Sequence, residues 1–304
     1  MEAGMRIFIT GGTGFVGTHL TGKLLERGDD VTVVSFTGKK HLEDHPALHI
    51  IKGDTTKEGE WQKGLGEYDV IINLTGRSIF KFWSESYKEQ IYSSRILTTR
   101  NVVQALPENS DSILLSASAV GYYGERGDDE VDENAGPGSD FLARVGKDWE
   151  NEAFEARKKG VRVATTRFGV VLGKGGGALE TMETPFKAGL GGTIGSGRQW
   201  FSWIHIDDLA AALLFLMDGS GLDGPFNVTS PGSVRQKDFA KKLGRALHRP
   251  TIIPVPSFVL KTLGGEFGQM LLQGQKVVPR KLLEHGFVFQ YPQLEGAFQD
   301  IFDN

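Results

Sequence analysis

The feature that most constrains the fold lies near the start of the chain, where an apolar run leads into three glycines. Residues 7–9 form the short apolar run typical of a strand buried in a parallel sheet. Gly11, Gly14 and Gly17 follow, and leucines recur with helical spacing over residues 18–27. A glycine turn between a strand and a helix directs unpaired N–H groups and the positive end of the helix dipole at one point. The stretch therefore predicts a binding site for a diphosphate.

Glycine is the residue type that this turn requires, because a side chain would block the turn, the phosphate or the packing of helix on strand. With 41 glycines in 304 residues such spacing also arises by chance, and the alternative is a turn with a purely structural role. The position between a strand and a helix, in a unit of about 30 residues, favours a dinucleotide. The residues assigned to this part of the cofactor are Gly11, Thr13, Gly14, Phe15, Val16 and Gly17.

The ends of the following strands supply further cofactor residues. After the second strand, Ser35 occupies the place where a carboxylate usually binds the adenosine ribose, and Lys39 follows shortly. A hydroxyl and an ammonium group accept a 2′-phosphate that a carboxylate would repel, so the pattern favours NADP (NADPH) over NAD. A solvated lysine on a loop is the alternative for Lys39. Asp54 is assigned to the adenine amino group. The residues assigned near the end of the fourth strand are Leu74, Thr75 and Gly76, with Arg95 from the next helix.

Apolar strands alternate with helical patterns, which predicts an α/β fold with a Rossmann-type, doubly wound parallel sheet. The predicted strands are residues 7–9, 30–34, 48–54, 68–76, 112–118 and 161–168, and the longest predicted helices are residues 84–106 and 141–159. Asp207 or Asp208 is predicted to cap a later helix. Beyond residue 173 the regular alternation of apolar strands and helical patterns is lost in a glycine-rich segment. We therefore predict a dinucleotide-binding domain over residues 1–173 and a smaller, interleaved α/β substrate lobe over residues 174–304.

Composition limits the class of protein and its partners. Charged residues make up 24% and hydrophobic residues 39% of the chain, as in an ordinary globular protein. The formal net charge of -4 gives no reason to expect nucleic acid as a partner. The absence of cysteine excludes disulfides, thiolate nucleophiles and cysteine-ligated zinc, and no metal site is predicted. An early first strand and the lack of a long apolar run predict a cytoplasmic protein without a signal peptide or a membrane partner.

Taken together, these residues resemble the extended short-chain dehydrogenase/reductase superfamily, which includes sugar-nucleotide epimerases and dehydratases. The resemblance covers nearly the whole chain. Its marks are the segments 10–17, 53–54, 73–74, 116–122, 205–210 and 226–228, with Arg167 and Gly173. Segments 116–124 and 201–205 and the tail, residues 252–304, are most similar to an atypical NADP-binding branch known only as epimerase family proteins. The tail resembles that branch's C-terminal domain of unknown function.

In this superfamily the chemistry depends on a serine, a tyrosine and a lysine. The tyrosine exchanges a proton with the substrate as hydride moves to or from the nicotinamide, and the lysine lowers the pKa of the tyrosine. The resemblance implies that Ser118 is the serine and that Lys147 is the lysine, which also holds the nicotinamide ribose; a solvated helix lysine is the alternative. Four residues before Lys147, where the tyrosine belongs, the sequence has Ala143. Tyr122 is the candidate replacement, and an aromatic wall of the pocket is its alternative role.

A second departure concerns the substrate. Sugar-nucleotide relatives often have an arginine shortly before the aromatic-Ile-His segment, where this chain has Phe201 and Ser202. His205, within that segment, is expected to be structural. We therefore predict an NADP-binding oxidoreductase or epimerase acting on a small carbonyl, hydroxyl or sugar-nucleotide compound. The alternative, favoured by Ala143, is a sensor or scaffold that binds NADP without turnover.

The expected partners are a small-molecule substrate and a second copy of the chain. Arg77, Lys81 and Arg95 flank the exit of the fourth strand and are candidates to meet an anionic substrate. Relatives are often homodimers through a four-helix contact, which here would use the predicted helices 84–106 and 141–159.

Overall fold

The computed structural model describes residues 4–36, 38 and 42–303. Its strands are β1 (Arg6–Thr10), β2 (Asp30–Ser35), β3 (Leu48–Lys52), β4 (Val70–Asn73), β5 (Ile113–Ala119), β6 (Glu130–Val131), β7 (Arg162–Phe168), β8 (Val170–Leu172), β9 (Trp200–Phe201), β10 (Trp203–His205), β11 (Gly224–Val228), β12 (Val234–Arg235) and β13 (Lys276–Val277). Its helices are α1 (Phe15–Arg27), α2 (Glu85–Ala105), α3 (Phe141–Phe154), α4 (Gly177–Lys187), α5 (Ile206–Asp218), α6 (Gln236–Ala246), α7 (Ser257–Leu263), α8 (Gly265–Met270), α9 (Arg280–Glu284) and α10 (Leu294–Asp303).

Seven strands of the described chain form one parallel sheet in the order β11-β7-β5-β4-β1-β2-β3. The chain builds outward from β1 to β3 and then returns to the other side of β1 with β4. The direction of winding therefore reverses between β1 and β4, and such a reversal opens a crevice at the carboxyl ends of the strands. The predicted Rossmann-type, doubly wound α/β fold is confirmed.

Apolar side chains fill both faces of this sheet. Ile9 packs on one face with Leu20 of α1 and Leu213 of α5, whereas its neighbour Phe8 packs on the other face with Val102 of α2. All five side chains are fully buried or nearly so, and each contributes roughly 1.5–3 kcal/mol by leaving water. Burial on both faces explains why the strands read as continuous apolar runs rather than as alternating ones.

Three short strand pairs lie outside the central sheet, and one of them connects the tail to the first half of the chain. β8 pairs with β10, β9 pairs with β12, and β6 pairs with β13. β6 lies between β5 and α3, and β13 lies in the tail, so the tail packs directly on the first half. The chain beyond residue 173 also supplies β11 to the central sheet. The division at residue 173 stays a prediction.

The predicted helix 141–159 has the predicted bounds: it is α-helical to Phe154, and Glu155–Lys159 is a 3-10 helix that ends at Gly160 with a φ of +82°. The predicted cap of a later helix is wrong. The N-terminus of α5 is capped by His205, whose Nδ1 accepts the N–H of Asp207 at 3.2 Å. The N-cap predicted to be an aspartate is therefore a histidine.

Asp208 has a different role, in attaching the tail. Its two carboxylate oxygens accept the backbone N–H groups of Gln290 at 2.7 Å and Tyr291 at 2.9 Å. Within the described ranges, every helix is too short or too polar to cross a lipid bilayer.

Candidate functional site: a crevice at the switch in strand order

The glycine turn lies between β1 and α1, at the point where the strand order reverses. Gly11 has a φ of +73°, in the left-handed region that favours glycine. A Cβ on Gly11 would lie 2.8 Å from the carbonyl carbon of Leu74 and 2.9 Å from the nitrogen of Thr75, so the turn approaches the end of β4 closely. Gly14 begins α1 as an N-cap without a side-chain bond. The N–H groups of the first helical turn therefore point into the crevice without a capping partner.

Two glycines of this turn serve different purposes. A Cβ on Gly17 would lie 2.3 Å from the carbonyl oxygen of Gly11 and 2.5 Å from the Cα of Gly12, so glycine is required there for α1 to pack on the turn. At Gly14 the nearest atom to such a Cβ, the Gly11 carbonyl oxygen, is 3.3 Å away, and the residue is exposed. Gly17 therefore serves the fold, whereas Gly14 keeps space open in front of the helix.

A second glycine segment closes over the side of this turn. The ring of Phe15 lies within 2.9 Å of the Cβ that a side chain would place at Gly173, Gly176 or Gly177. The loop between β8 and α4 can approach Phe15 only because it has glycines at these positions. Thr13 and Val16 are half-buried beside Phe15.

Ser35 lies at the carboxyl end of β2, on the same edge of the sheet. It is 2% exposed, and its hydroxyl has no hydrogen-bond partner within the described chain. Leaving a buried hydroxyl unpaired costs about 1–3 kcal/mol, so a ligand atom that bonds it would offset this cost. Asp54, after β3, accepts the N–H of Thr56 at 3.1 Å and its hydroxyl at 2.6 Å through Oδ1. Lys39 lies outside the described residues.

Arg95 projects from α2 toward the end of β4. Its guanidinium donates to the carbonyl oxygens of Arg77 at 3.1 Å and Ile91 at 3.0 Å and lies 5.1 Å from the ring of Trp149. It is so close to Gly76 that a Cβ there would lie 2.9 Å from its central carbon. No carboxylate among the described residues forms an ion pair with Arg95, and burial lowers its pKa to about 10. A half-buried cation without a carboxylate partner suits an anionic ligand.

A buried ion pair holds Ser118. The Ser118 hydroxyl donates to Oε1 of Glu150 at 2.7 Å, and Arg167 donates to both oxygens of Glu150 at 2.7 Å. Ser118 of β5 and Arg167 of β7 are partners in the sheet register, and all three side chains are less than 5% exposed. The hydroxyl proton of Ser118 is therefore already used in a hydrogen bond to Glu150.

The same arginine organises two tyrosines. Its guanidinium carbon lies 3.7 Å from the ring centre of Tyr122, and it donates to the Tyr123 hydroxyl at 2.8 Å. Tyr123 donates in turn to Oδ1 of Asn227 at 2.6 Å. Burial raises the pKa of Tyr122 and raises that of Tyr123 to about 12. Both phenols are therefore protonated at neutral pH, which favours the wall interpretation of Tyr122; its role stays a prediction.

Ala143, at the position where the superfamily has its tyrosine, is buried within the protein. Ala143 is fully buried in the first turn of α3, where its N–H donates to the capping carboxylate of Asp140 at 2.9 Å. Lys147, one turn later, is exposed and forms no ion pair within the described ranges. The structure thus brings Ser118 and Tyr122 to one buried network and leaves Lys147 at the surface, free to reach a ligand.

Sequence reasoning missed the partners in this network, Glu150 and Glu133. Glu133 accepts the N–H of Asn227 at 3.0 Å through Oε1, and burial raises its pKa. One signal was available, since Arg167 lies in a strand buried in a parallel sheet and a charge there requires a buried counter-ion. Nothing in the spacing identifies Glu150 among the acidic residues of the chain as that counter-ion.

The segment before His205 contacts the protein rather than open space. The Phe201 ring lies 4.2 Å from that of Phe239, and the Ser202 hydroxyl donates to the carbonyl of Gln275 at 2.7 Å. His205 packs on Tyr291 with ring centres 4.0 Å apart, and burial lowers its pKa. Its contacts support the structural role expected of it.

A doubly wound sheet with a glycine turn at its switch point defines a class of dinucleotide-binding proteins. The sequence profile of the NAD dependent epimerase/dehydratase family matches residues 7–229, and that of a domain of unknown function, DUF1731, matches residues 255–301. The chain therefore belongs to the NAD dependent epimerase/dehydratase family, and the resemblance inferred from the sequence, including its tail, is confirmed.

Relatives match over nearly their full length. Epimerase family protein YfhF of Bacillus subtilis is 39% identical over 98% of this chain and 98% of its own. The SDR39U1 homolog of Arabidopsis thaliana, named as chloroplastic, is 39% identical over 99% of this chain and 87% of its own. The crystal structure of human epimerase family protein SDR39U1 with NADPH has a TM-score of 0.84 and 34% identity, covering 99% of this chain and 100% of that one. The cytoplasmic location of the present protein stays a prediction.

Proposed function

We propose that this protein binds NADP(H) and acts as an oxidoreductase or epimerase on a small carbonyl, hydroxyl or sugar-nucleotide compound. The observation that carries the proposal is the set of unpaired polar groups along the crevice, namely the first-turn N–H groups of α1 and the buried Ser35 hydroxyl. The human relative, whose structure contains NADPH, supports the choice of cofactor.

Each part of the crevice fits one part of this cofactor. The diphosphate fits the N–H groups that begin with Phe15, in the space kept open by Gly14. The 2′-phosphate fits the end of β2, where Ser35 occupies the position of the usual carboxylate. Lys147 is exposed and suited to the nicotinamide ribose. When bound, the cofactor supplies or accepts hydride at its nicotinamide ring.

Within the proposed substrates, a small anionic carbonyl or hydroxyl compound is favoured over a sugar nucleotide. Arg95, which the sequence also assigns to the cofactor, is a half-buried cation without a carboxylate partner among the described residues, at the exit of β4. Phe201 and Ser202, where a diphosphate-binding arginine would lie, are occupied with Phe239 and the tail. A single charged group on the substrate therefore suits the site better than a nucleoside diphosphate.

A specific observation favours the second candidate, a sensor or scaffold that binds NADP(H) without turnover. The Ser118 proton is donated to Glu150, and Ala143 supplies no hydroxyl. The Ser118 hydroxyl is therefore already hydrogen-bonded, and the tyrosine expected to exchange a proton with the substrate is absent. The cofactor side of the crevice stays open.

NADPH oxidation separates the two candidates. The purified protein is mixed with NADPH and a panel of aldehydes, ketones, oxo acids and nucleotide sugars, and absorbance of the reduced cofactor is followed. Oxidation with an oxo acid or another anionic carbonyl compound supports the enzyme; saturable NADPH binding with no oxidation across the panel favours the sensor. In any active assay, unchanged kinetics of Tyr122→Phe would assign Tyr122 to the pocket wall.

The homodimer implied by the resemblance is also a proposal. Within one chain, α2 and α3 are joined by a hydrogen bond from Tyr92 to Asp148 at 3.0 Å and by an ion pair between Arg100 and Glu152. These contacts hold the two helices together as a pair, as a four-helix contact with a second copy requires. Light scattering on the purified protein, at twice the monomer mass of 33.2 kDa for a dimer, tests it.

A further inference from the structure

The apolar helix α7 is only partly covered by the rest of the protein, with Val259 and Leu260 half-buried. None of its residues, Ser257–Leu263, is buried, although four of the seven are Phe, Val or Leu. Phe258 and Leu263 are 70% and 74% exposed, and Ile252, in the loop before the helix, is 75% exposed. An apolar helix in water is normally stabilised by burying one face. Exposure of this kind is typical of an interaction surface.

Neighbouring backbone extends this apolar surface. The N–H of Ile253 donates to the carbonyl of Gly191 at 3.4 Å, which places Leu190 beside it. Both Leu190 and Ile253 are exposed. We define the α7 surface by its exposed apolar side chains: Leu190, Ile252, Ile253, Phe258 and Leu263. They come from two chain segments that the backbone holds together.

Four of the five side chains of the α7 surface lie in a stretch of chain with positive charge only. Residues 239–265, between Asp238 and Glu266, contain no Asp or Glu, although the whole chain has a formal net charge of -4. Glu266 pairs with Lys88. The stretch contains the basic residues Lys241, Lys242, Arg245, Arg249 and Lys261. Lys242 pairs with Glu295. Within the described chain, Lys241, Arg249 and Lys261 are exposed and form no ion pair with a carboxylate.

We propose that the α7 surface docks on an anionic lipid bilayer. Phe258, Leu263 and Ile252 would enter the boundary between headgroups and acyl chains, while Arg249 and Lys261 would meet the anionic headgroups. The charge argues against a second copy as the occupant, because two copies would bring like charges together. This docking is peripheral, so it requires no spanning helix, and it does not depend on the cofactor or on turnover. It departs from the expectation of no membrane partner, which rested on the lack of a long apolar run in the sequence.

Vesicle flotation with the full-length, NADPH-loaded protein tests this proposal. The probes are vesicles of phosphatidylcholine with phosphatidylglycerol and vesicles of phosphatidylcholine alone. We expect the protein to float with the anionic vesicles and to be released by high salt, because screening weakens the attraction to the headgroups. The double variant Phe258→Ser/Leu263→Ser should bind the anionic vesicles at least about tenfold more weakly. These side chains are unburied, so the melting temperature should be retained.

Matched variants control for exposure and charge. Val288→Ser removes an apolar side chain that is 85% exposed elsewhere in the tail and should leave flotation unchanged. Arg249→Glu/Lys261→Glu should weaken binding by about tenfold or more, because each basic residue near an anionic surface contributes about a factor of five. Lys63→Glu/Lys158→Glu, two exposed lysines of the first half, should bind as the wild type does.

Three outcomes would overturn the proposal. One is the absence of flotation with anionic vesicles, and another is equal flotation of the wild type and the Phe258→Ser/Leu263→Ser variant. The third is a concentration-dependent dimer in light scattering that this variant abolishes, which would assign the α7 surface to a second copy. Loss of NADPH binding in any variant would mark it as damaged, and Ile252→Ser/Leu263→Ser would then replace the first pair.

Discussion

The two ends of the crevice differ in how their polar groups are satisfied. At the cofactor end, the first-turn N–H groups of α1 have no capping side chain and the Ser35 hydroxyl is buried without a partner in the described chain. At the reaction end, Ser118 and Arg167 both donate to Glu150 at 2.7 Å, and Ala143 fills the tyrosine position. The groups proposed to meet the cofactor are unpaired, whereas Ser118, Glu150 and Arg167 are paired within one network, and an unpaired atom beside them is Oε2 of Glu133.

A buried group without a partner destabilises the free protein and is expected to gain from a ligand. Side chains that are already paired, as Ser118, Glu150 and Arg167 are, stabilise one arrangement without a ligand. The following variants test the contrast, beginning with the largest expected effect.

Arg167→Met should destabilise the protein most, because it leaves the Glu150 carboxylate buried without its cation. We expect the free energy of unfolding to fall by about 3–5 kcal/mol, as for other broken buried pairs, measured by urea denaturation. The double variant Arg167→Met/Glu150→Leu, which removes both charges, should recover part of the loss. A change below about 1 kcal/mol in the single variant would show that the reaction end is not held by this pair.

Gly14→Val should remove NADPH binding with little effect on the fold. Gly14 has φ -80° and ψ 176°, which valine adopts readily, and its Cβ would enter the space in front of the helix. We expect affinity to fall at least about a hundredfold, or about 2.7 kcal/mol, measured by calorimetry. Gly22→Ala is the matched control, because a Cβ at Gly22 meets nothing within 4 Å. Wild-type affinity in Gly14→Val would place the diphosphate elsewhere.

Ser35→Asp should change the preference between the two dinucleotides. A carboxylate at this position repels a 2′-phosphate and accepts the ribose hydroxyls of NADH. We expect NADPH affinity to fall about tenfold or more, the value of one charge-assisted hydrogen bond, while NADH affinity rises. Ser35→Ala, which removes the hydroxyl without adding charge, should lower the affinity for NADPH and leave the affinity for NADH unchanged. Equal losses for both cofactors would separate Ser35 from the 2′-phosphate.

The smallest effect should come from His205, which belongs to neither end. Burial lowers its pKa in the folded protein below the usual value near 6.5. The unfolded chain therefore binds the proton of His205 more tightly. The contribution of His205 to stability is constant above about pH 7 and falls as the pH drops through 6.5 toward the folded pKa. A tenfold difference in proton affinity between the folded and unfolded chains corresponds to about 1.4 kcal/mol of stability. Urea midpoints at several pH values should show a flatter profile in His205→Gln, and an unchanged profile would assign the slope to other groups.

The sequence predicts the strand, glycine turn and helix at the cofactor end well because their determinants are local. A strand, a glycine turn and a helix follow one another within residues 6–27, and the left-handed φ of Gly11 and the helix stop at Gly28 are properties of single residues. The order of strands follows from the alternation of apolar runs with helices. Local signals therefore identify the class of fold and the position of the turn.

The reaction end could not be predicted in the same way because its contacts are distant in the chain. Glu150 and Arg167 lie 17 residues apart, and Tyr123 and Asn227 lie 104 apart. The cap of α5 by His205 was also missed, because aspartate is the commoner residue at that position. Only the sheet register, which aligns Ser118, Arg167 and Asn227 across β5, β7 and β11, brings these groups together.

The central claim is that the first turn of α1 and Ser35 form a site for NADP(H). Isothermal titration calorimetry of NADPH into the folded protein, with NADH and Gly14→Val alongside, tests it most directly. We expect saturable binding of NADPH, weaker binding of NADH and none in the variant. Failure of the wild-type protein to bind either dinucleotide at millimolar concentration would contradict it.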